Sequence, residues 1–182
     1  VPLRVWGPSG GTPELGTAHA LDLMEQMYAW DIQTRSGVIA FRGGELQVTE
    51  FPFDGVNEVI YDENGVVIRS IPAVHGLDGA VSFILEWNGL KFVYGSDTVP
   101  NKWFAEFAKG ADIAIHECFL PPPLLVTKQG FSPLEALTVG TQGNTSPEQF
   151  GNVMSMVKPR YAVAYHFYND FDVAPEVLDR IR

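Results

Sequence analysis

Apolar and polar positions change period along this chain, and the changes mark its elements. Leu46 to Phe51 alternates apolar with polar, the period of a half-buried strand. Val59–Tyr61 and Val66–Ile71 flank Asn64-Gly65, and Val81–Trp87 and Leu90–Tyr94 flank Asn88-Gly89. Asn-Gly between two β-branched or aromatic runs predicts a two-residue hairpin turn, because both turn positions need a positive φ. Leu3–Trp6 reads as a short first strand, followed by the loop Gly7-Pro8-Ser9-Gly10-Gly11. Thr12-Pro13 fits an N-cap and first helical residue, predicting a helix to about Trp30 with Leu15, Ala18, Met24 and Met27 facing inward. Ser36–Gly44 is expected as loop or short strand.

Later in the chain, strands and helices alternate. A helix is predicted from Pro100 to Ala108, then a buried strand from Asp112 to Cys118. Pro121-Pro122-Pro123 is expected to be neither helix nor central strand. A short helix should follow Ser132-Pro133, and Ser146-Pro147-Glu148-Gln149 opens another that reaches Val157. Tyr161–Tyr165 reads as a buried strand, and a last helix starts near Pro175. Hairpins first and strand–helix alternation later predict an α+β fold, sheet packed against helices.

The 182 residues are read as a single domain, 1–182, and 46% hydrophobic content supplies a core. Acidic residues outnumber basic ones by 22 to 12, which argues against a nucleic-acid partner. No apolar run is long enough to span a bilayer. Cys118 is the single cysteine, so no intrachain disulfide forms, and a reducing, cytoplasmic setting is expected. The chain begins at Val1 in apparent mid-strand, and is expected to be a processed or trimmed part of something longer.

Four histidines carry the candidate chemistry: His19, His75, His116 and His166. His19 falls within a helix among small and apolar residues and reads as structural. The other three sit at strand ends. The hairpin from residue 81 to 94 is antiparallel, so His75 before it and Asp97 after it reach the same sheet edge. Imidazole and carboxylate suit zinc and related metals. Each residue alone has a plainer reading: a loop histidine bonded to backbone for His75, a turn residue for Asp97, a strand-end histidine for His166, a buried hydrogen-bonded pair for His116 and Glu117.

Taken together, the motifs resemble the metallo-β-lactamase superfamily, its ribonuclease Z-like branch most closely. The resemblance rests on Val5-Trp6-Gly7-Pro8, Ala73-Val74-His75-Gly76, Tyr94-Gly95-Ser96-Asp97-Thr98, Ala111–Glu117 with its terminal His116-Glu117, Ser146–Gln149, and Val163-Ala164-Tyr165-His166. It spans nearly the whole chain and implies a sandwich of two mixed sheets between helices, of which this is the C-terminal portion. By position it implies that His75 ligates a first zinc, His166 a second, and that Asp97 bridges them. His116 and Glu117 would assist catalysis with Asp97. The implied activity is zinc-dependent hydrolysis of a small molecule bearing an ester, lactone, ether or phosphodiester bond. Trp87, Trp103, Phe119 and Pro121–Leu125 could wall an apolar pocket.

Two departures qualify this expectation. The His-x-His-x-Asp-His loop of the family is absent from the sequence, leaving too few ligands for a strong zinc site. An N-terminal fragment or second subunit carrying that motif is therefore expected as partner, with an oligomer as the result. At Asn144, ribonuclease Z proteins carry a helper histidine, and asparagine cannot shuttle protons at neutral pH. Two rival readings stay open: a non-catalytic structural or regulatory subunit, and a ribonuclease Z-like RNA phosphodiesterase.

Overall fold

The computed structural model describes residues 2–38, 45–76, 78–167 and 174–181. The chain divides into two compact units, 1–54 and 55–182. In the first unit, β1 (Leu3–Pro8) pairs in parallel with β2 (Leu46–Phe51). A 3₁₀ turn at Pro13–Leu15 and helices α1 (Thr17–Met27) and α2 (Ala29–Ser36) lie between them in the chain. Pro13 does open a helical turn, but Gly16 ends it after one turn in extended conformation, and the α-helix starts at Thr17. Leu15, Ala18, Met24 and Met27 are exposed, not inward. A two-stranded sheet has too narrow a face to cover a helix of that length. Ser36 ends α2, and most of the Ser36–Gly44 segment, residues 39–44, lies outside the described residues.

The second unit is built on one mixed sheet, in the order β3 (Glu58–Glu63), β4 (Val66–Pro72), β5 (Val81–Trp87), β6 (Leu90–Tyr94), β7 (Ile113–Glu117), β8 (Tyr161–Tyr165). Neighbours from β3 to β6 are antiparallel, and β6, β7 and β8 are parallel. Both Asn-Gly turns form as expected, with Asn64 and Gly65 at φ 54° and 78° and Asn88 and Gly89 at φ 51° and 76°. Helices α3 (Lys102–Phe107) and α6 (Pro147–Val157) bury Phe104, Phe150, Val153 and Val157 with Ile71, Ile84, Val93 and Ala114 of the sheet. Ser146 caps α6 through a reciprocal bond pair with Gln149.

The proline run differs from expectation. Pro122 and Pro123 form the first turn of α4 (Pro122–Gln129), where a missing N–H leaves no helical bond unmade. Ser132 then caps α5 (Pro133–Thr138), which continues as one π-turn through Gly143. The final helix, α7, spans Ala174–Ile181.

On the sheet face opposite α3 and α6, strand alternation lines up Leu85, Trp87, Leu90, Phe92, Ile113 and Tyr161 around an apolar cavity of about 370 Å³. Trp87 is 52% and Tyr161 57% exposed. This cavity lies where β7 and β8 begin, so Trp87 is remote from the strand ends that carry the candidate site. Trp103 packs against the core, and Phe119 packs against both the core and the His166 ring.

Two glycines test the fold for different reasons. Gly89 sits in open space at positive φ, so Gly89→Ala adds only backbone strain, about 1–2 kcal/mol. Gly95 has no such φ, but a Cβ there would meet the His116 ring at 3.1 Å and the Ile115 carbonyl at 3.2 Å. Thermal unfolding should show both Gly→Ala variants destabilised. Asn88→Gly keeps the positive φ accessible and should change stability little, and a large loss there would contradict the turn assignment.

Candidate metal centre

The parallel strands β6, β7 and β8 all end at one sheet edge, and the site is assembled from their last residues and the short segments just beyond. Gly95 N–H still bonds Ile115 C=O at 2.8 Å, which carries the segment after β6 alongside the end of β7. Ser96 then turns in the left-handed region at φ 55°, its hydroxyl bonding the Val81 carbonyl at 2.6 Å, and presents Asp97. After β8, His166 also adopts a left-handed conformation, φ 66°. Non-glycine residues held there store strain that surrounding contacts must sustain.

Ligand atoms of Asp97, Glu117 and His166 lie within 4.8 Å of one another. His166 Nδ1 is 3.2 Å from Glu117 Oε2 and 3.5 Å from Asp97 Oδ1. The Tyr165 hydroxyl donates to Asp97 Oδ1 at 3.0 Å. Glu117 is fully buried, and its Oε1 accepts from the Thr98 backbone N–H. Thr98 is tied in turn by the Thr145 hydroxyl, which donates to its carbonyl at 2.6 Å.

Burial drives the Glu117 carboxyl up to about 8, with the nearby Asp97 charge adding to the rise, against lowering by the Thr98 and Thr145 backbones. The Tyr165 phenol is pushed well up by burial, then by Tyr94 and Asp97, so it stays a donor. Burial lifts the Cys118 thiol to about 12, which removes it as a nucleophile.

Of the five residues expected at the site, Asp97, Glu117 and His166 come together. His75 is not in this group. Its Nδ1 bonds the Gly143 carbonyl. A carbonyl only accepts, so Nδ1 donates and Nε2 is the nitrogen left to ligate, the arrangement in which ligating histidines are held. The same segment is pinned to Thr98, whose hydroxyl accepts from Val74 N–H at 2.8 Å. His116 points the other way, because strand alternation sends it to the helix face while Glu117 faces the site edge. Phe104 meets its ring edge-on at 4.7 Å, Phe150 lies 6.5 Å away, and burial lowers its pKa. It contributes no atom to the donor group.

Sequence spacing did not single out Tyr165 or Tyr94, whose rings stand 5.4 Å apart beside Asp97. Strand register places them there, with Glu117 opposite Tyr165 across β7–β8 and Ile115 opposite Tyr94 across β6–β7. Asn144 is buried and donates to Val139 C=O at 3.0 Å.

One imidazole and two carboxylates form a donor set suited to a first-row divalent ion, and three protein donors is the number a catalytic zinc site uses. A cation would also resolve the otherwise unfavourable approach of two acids. The residues therefore fit one divalent metal ion.

No family model matches the chain. Ribonuclease Z of Mycobacterium marinum is 32% identical over 118 residues, covering 63% of this chain and 39% of that protein. Human tRNase Z, short form, shares the fold with a TM-score of 0.59 at 14% identity, over 91% of this chain and 60% of that one. The metallo-beta-lactamase fold protein YhfI from Bacillus subtilis matches with a TM-score of 0.53 at 12% identity, over 83% of this chain and 54% of that one. The chain thus spans less than two thirds of the length of each. It has the metallo-β-lactamase fold. Its sequence resembles ribonuclease Z over 118 residues.

The raised Glu117 pKa sets a pH dependence in the metal-free chain. A carboxyl whose folded pKa lies above its unfolded value favours folding below the unfolded pKa, and that contribution is lost as pH rises through the folded one. Stability measured in chelator should therefore fall between about pH 4.5 and 8. Glu117→Gln should flatten that slope, and an unchanged slope would show that Glu117 is ionised in the fold.

Proposed function

We propose that this chain provides one part of a metal-dependent hydrolase site that cleaves phosphodiesters, and that a polypeptide bearing His-x-His-x-Asp-His supplies the remaining metal donors. The observation that carries this reading is the convergence of Asp97, Glu117 and His166 at one sheet edge. The sequence similarity to ribonuclease Z favours a phosphodiester as the bond cleaved. A divalent ion at such a site supplies Lewis acidity toward a substrate oxygen and makes hydroxide available near neutral pH.

The residues divide the work. Asp97 and His166 hold the ion, and His75 joins them through Nε2 when the site is completed. Glu117 holds a proton on its carboxyl until positive charge arrives. Phe119, with its ring centroid 5.2 Å from that of His166, limits water on one side. The exposed apolar sheet face is the natural seat for the completing polypeptide, because Tyr161, Val163 and Tyr165 share one face of β8 and lead along it to the site.

A second reading, hydrolysis of a small molecule, draws support from Asn144 and the net charge of −10. Asn144 spends its amide on the Val139 carbonyl and has no titratable group to protonate a leaving oxygen. An RNA strand would also meet an acidic protein.

The test combines the chain with a His-x-His-x-Asp-His polypeptide and zinc or manganese. The substrates are bis(p-nitrophenyl) phosphate, an ester, a lactone and a precursor tRNA. Phosphodiester turnover is expected. Outer partners of metal ligands are worth up to about 100-fold, so Asp97→Asn and His166→Ala should lose at least that much. Turnover of lactone or ester alone would favour the second reading. No turnover and no metal uptake would make the chain a non-catalytic subunit.

A further inference from the structure

Asp97 is a weakly anchored ligand. It follows a left-handed serine, its side chain is 40% exposed, and it faces the carboxyl of Glu117. A side chain this exposed is free to swing out into water unless something holds it. The Tyr165 hydroxyl, donating to Asp97 Oδ1 at 3.0 Å, opposes that swing. Tyr165 can do this because it is itself held. It is the last residue of β8, half-buried, its backbone carbonyl accepting from Cys118 N–H at 2.8 Å. Tyr94, the last residue of β6, stands against its ring, with centroids 5.4 Å apart.

We propose that Tyr165, braced by Tyr94, is the positioning residue that keeps Asp97 turned into the donor cluster. The inference rests on the metal-site reading above and extends it to two residues outside the ligand set. A donor behind a ligating carboxylate fixes its orientation, and losing such a partner weakens metal binding about 10–100-fold.

Cobalt(II) titration of the purified chain tests this through affinity and the visible absorption of the bound ion. Tyr165→Phe removes one oxygen and keeps the ring contact with Tyr94. It should bind cobalt about 10–100-fold more weakly than the wild type, with an altered cobalt spectrum and a metal-free melting temperature close to wild type. Tyr94→Leu, which removes the ring contact, should weaken binding by a smaller factor. Wild-type affinity and spectrum in Tyr165→Phe would overturn the inference while leaving the metal site intact. If Tyr165→Phe melts early, Tyr94→Leu decides, and unchanged cobalt affinity there overturns the brace. A wild-type chain that takes up no cobalt removes the metal-site reading and this inference with it.

Discussion

A carboxyl group with no solvent contact must find its partners inside the protein, and Glu117 finds them in two different segments. Thr98 follows β6 and His166 follows β8, and the Thr145 hydroxyl, just before α6, holds Thr98 in place. Burying a carboxyl without such partners is strongly unfavourable. The position of Glu117 at the end of β7 therefore dictates where the neighbouring segments go. Asp97 precedes Thr98 by one residue, so satisfying Glu117 also delivers Asp97. The structural demand and the functional assembly are the same set of hydrogen bonds.

That coupling has a chemical consequence. Glu117 is kept neutral chiefly by burial, with the Asp97 charge adding to the effect. A neutral site of this composition contains fixed donors and little net charge, and it becomes favourable for a cation at the moment the proton leaves. The left-handed residues Ser96 and His166 flank the cluster, so backbone strain is concentrated where the side chains must converge. The bonds around Thr98, from Val74 N–H and from Thr145, hold that strain in place.

The sequence was most legible where structure is decided locally. Asn-Gly turns need only their own φ values, and Ser-x-x-Glu or Ser-x-x-Gln caps need only one helical turn, so the hairpins and the starts of α5 and α6 were readable directly. Strand boundaries at Val81–Trp87, Leu90–Tyr94 and Tyr161–Tyr165 followed from β-branched and aromatic runs. Less legible was whatever depends on which face a residue meets. Leu15 and Met27 look like core residues until the sheet beneath them proves to have two strands. The prolines before Leu124 forbid a helix interior but not a first turn. At the site, adjacency in sequence misled. His116 and Glu117 are neighbours, yet a strand sends them to opposite faces, one into the aromatic core and one to the donors. Tyr165 belongs to Asp97 through strand register, a long-range fact that no short motif carries.

On the proposed reading, the proton that burial keeps on Glu117 would leave as a divalent ion enters the cluster. Isothermal titration calorimetry of zinc or cobalt binding near pH 7, repeated in buffers of different ionisation enthalpy, counts the protons set free. Release of about one proton per ion, abolished by Glu117→Gln, is the expected result. Metal binding by the wild type with no proton released at that pH would contradict it.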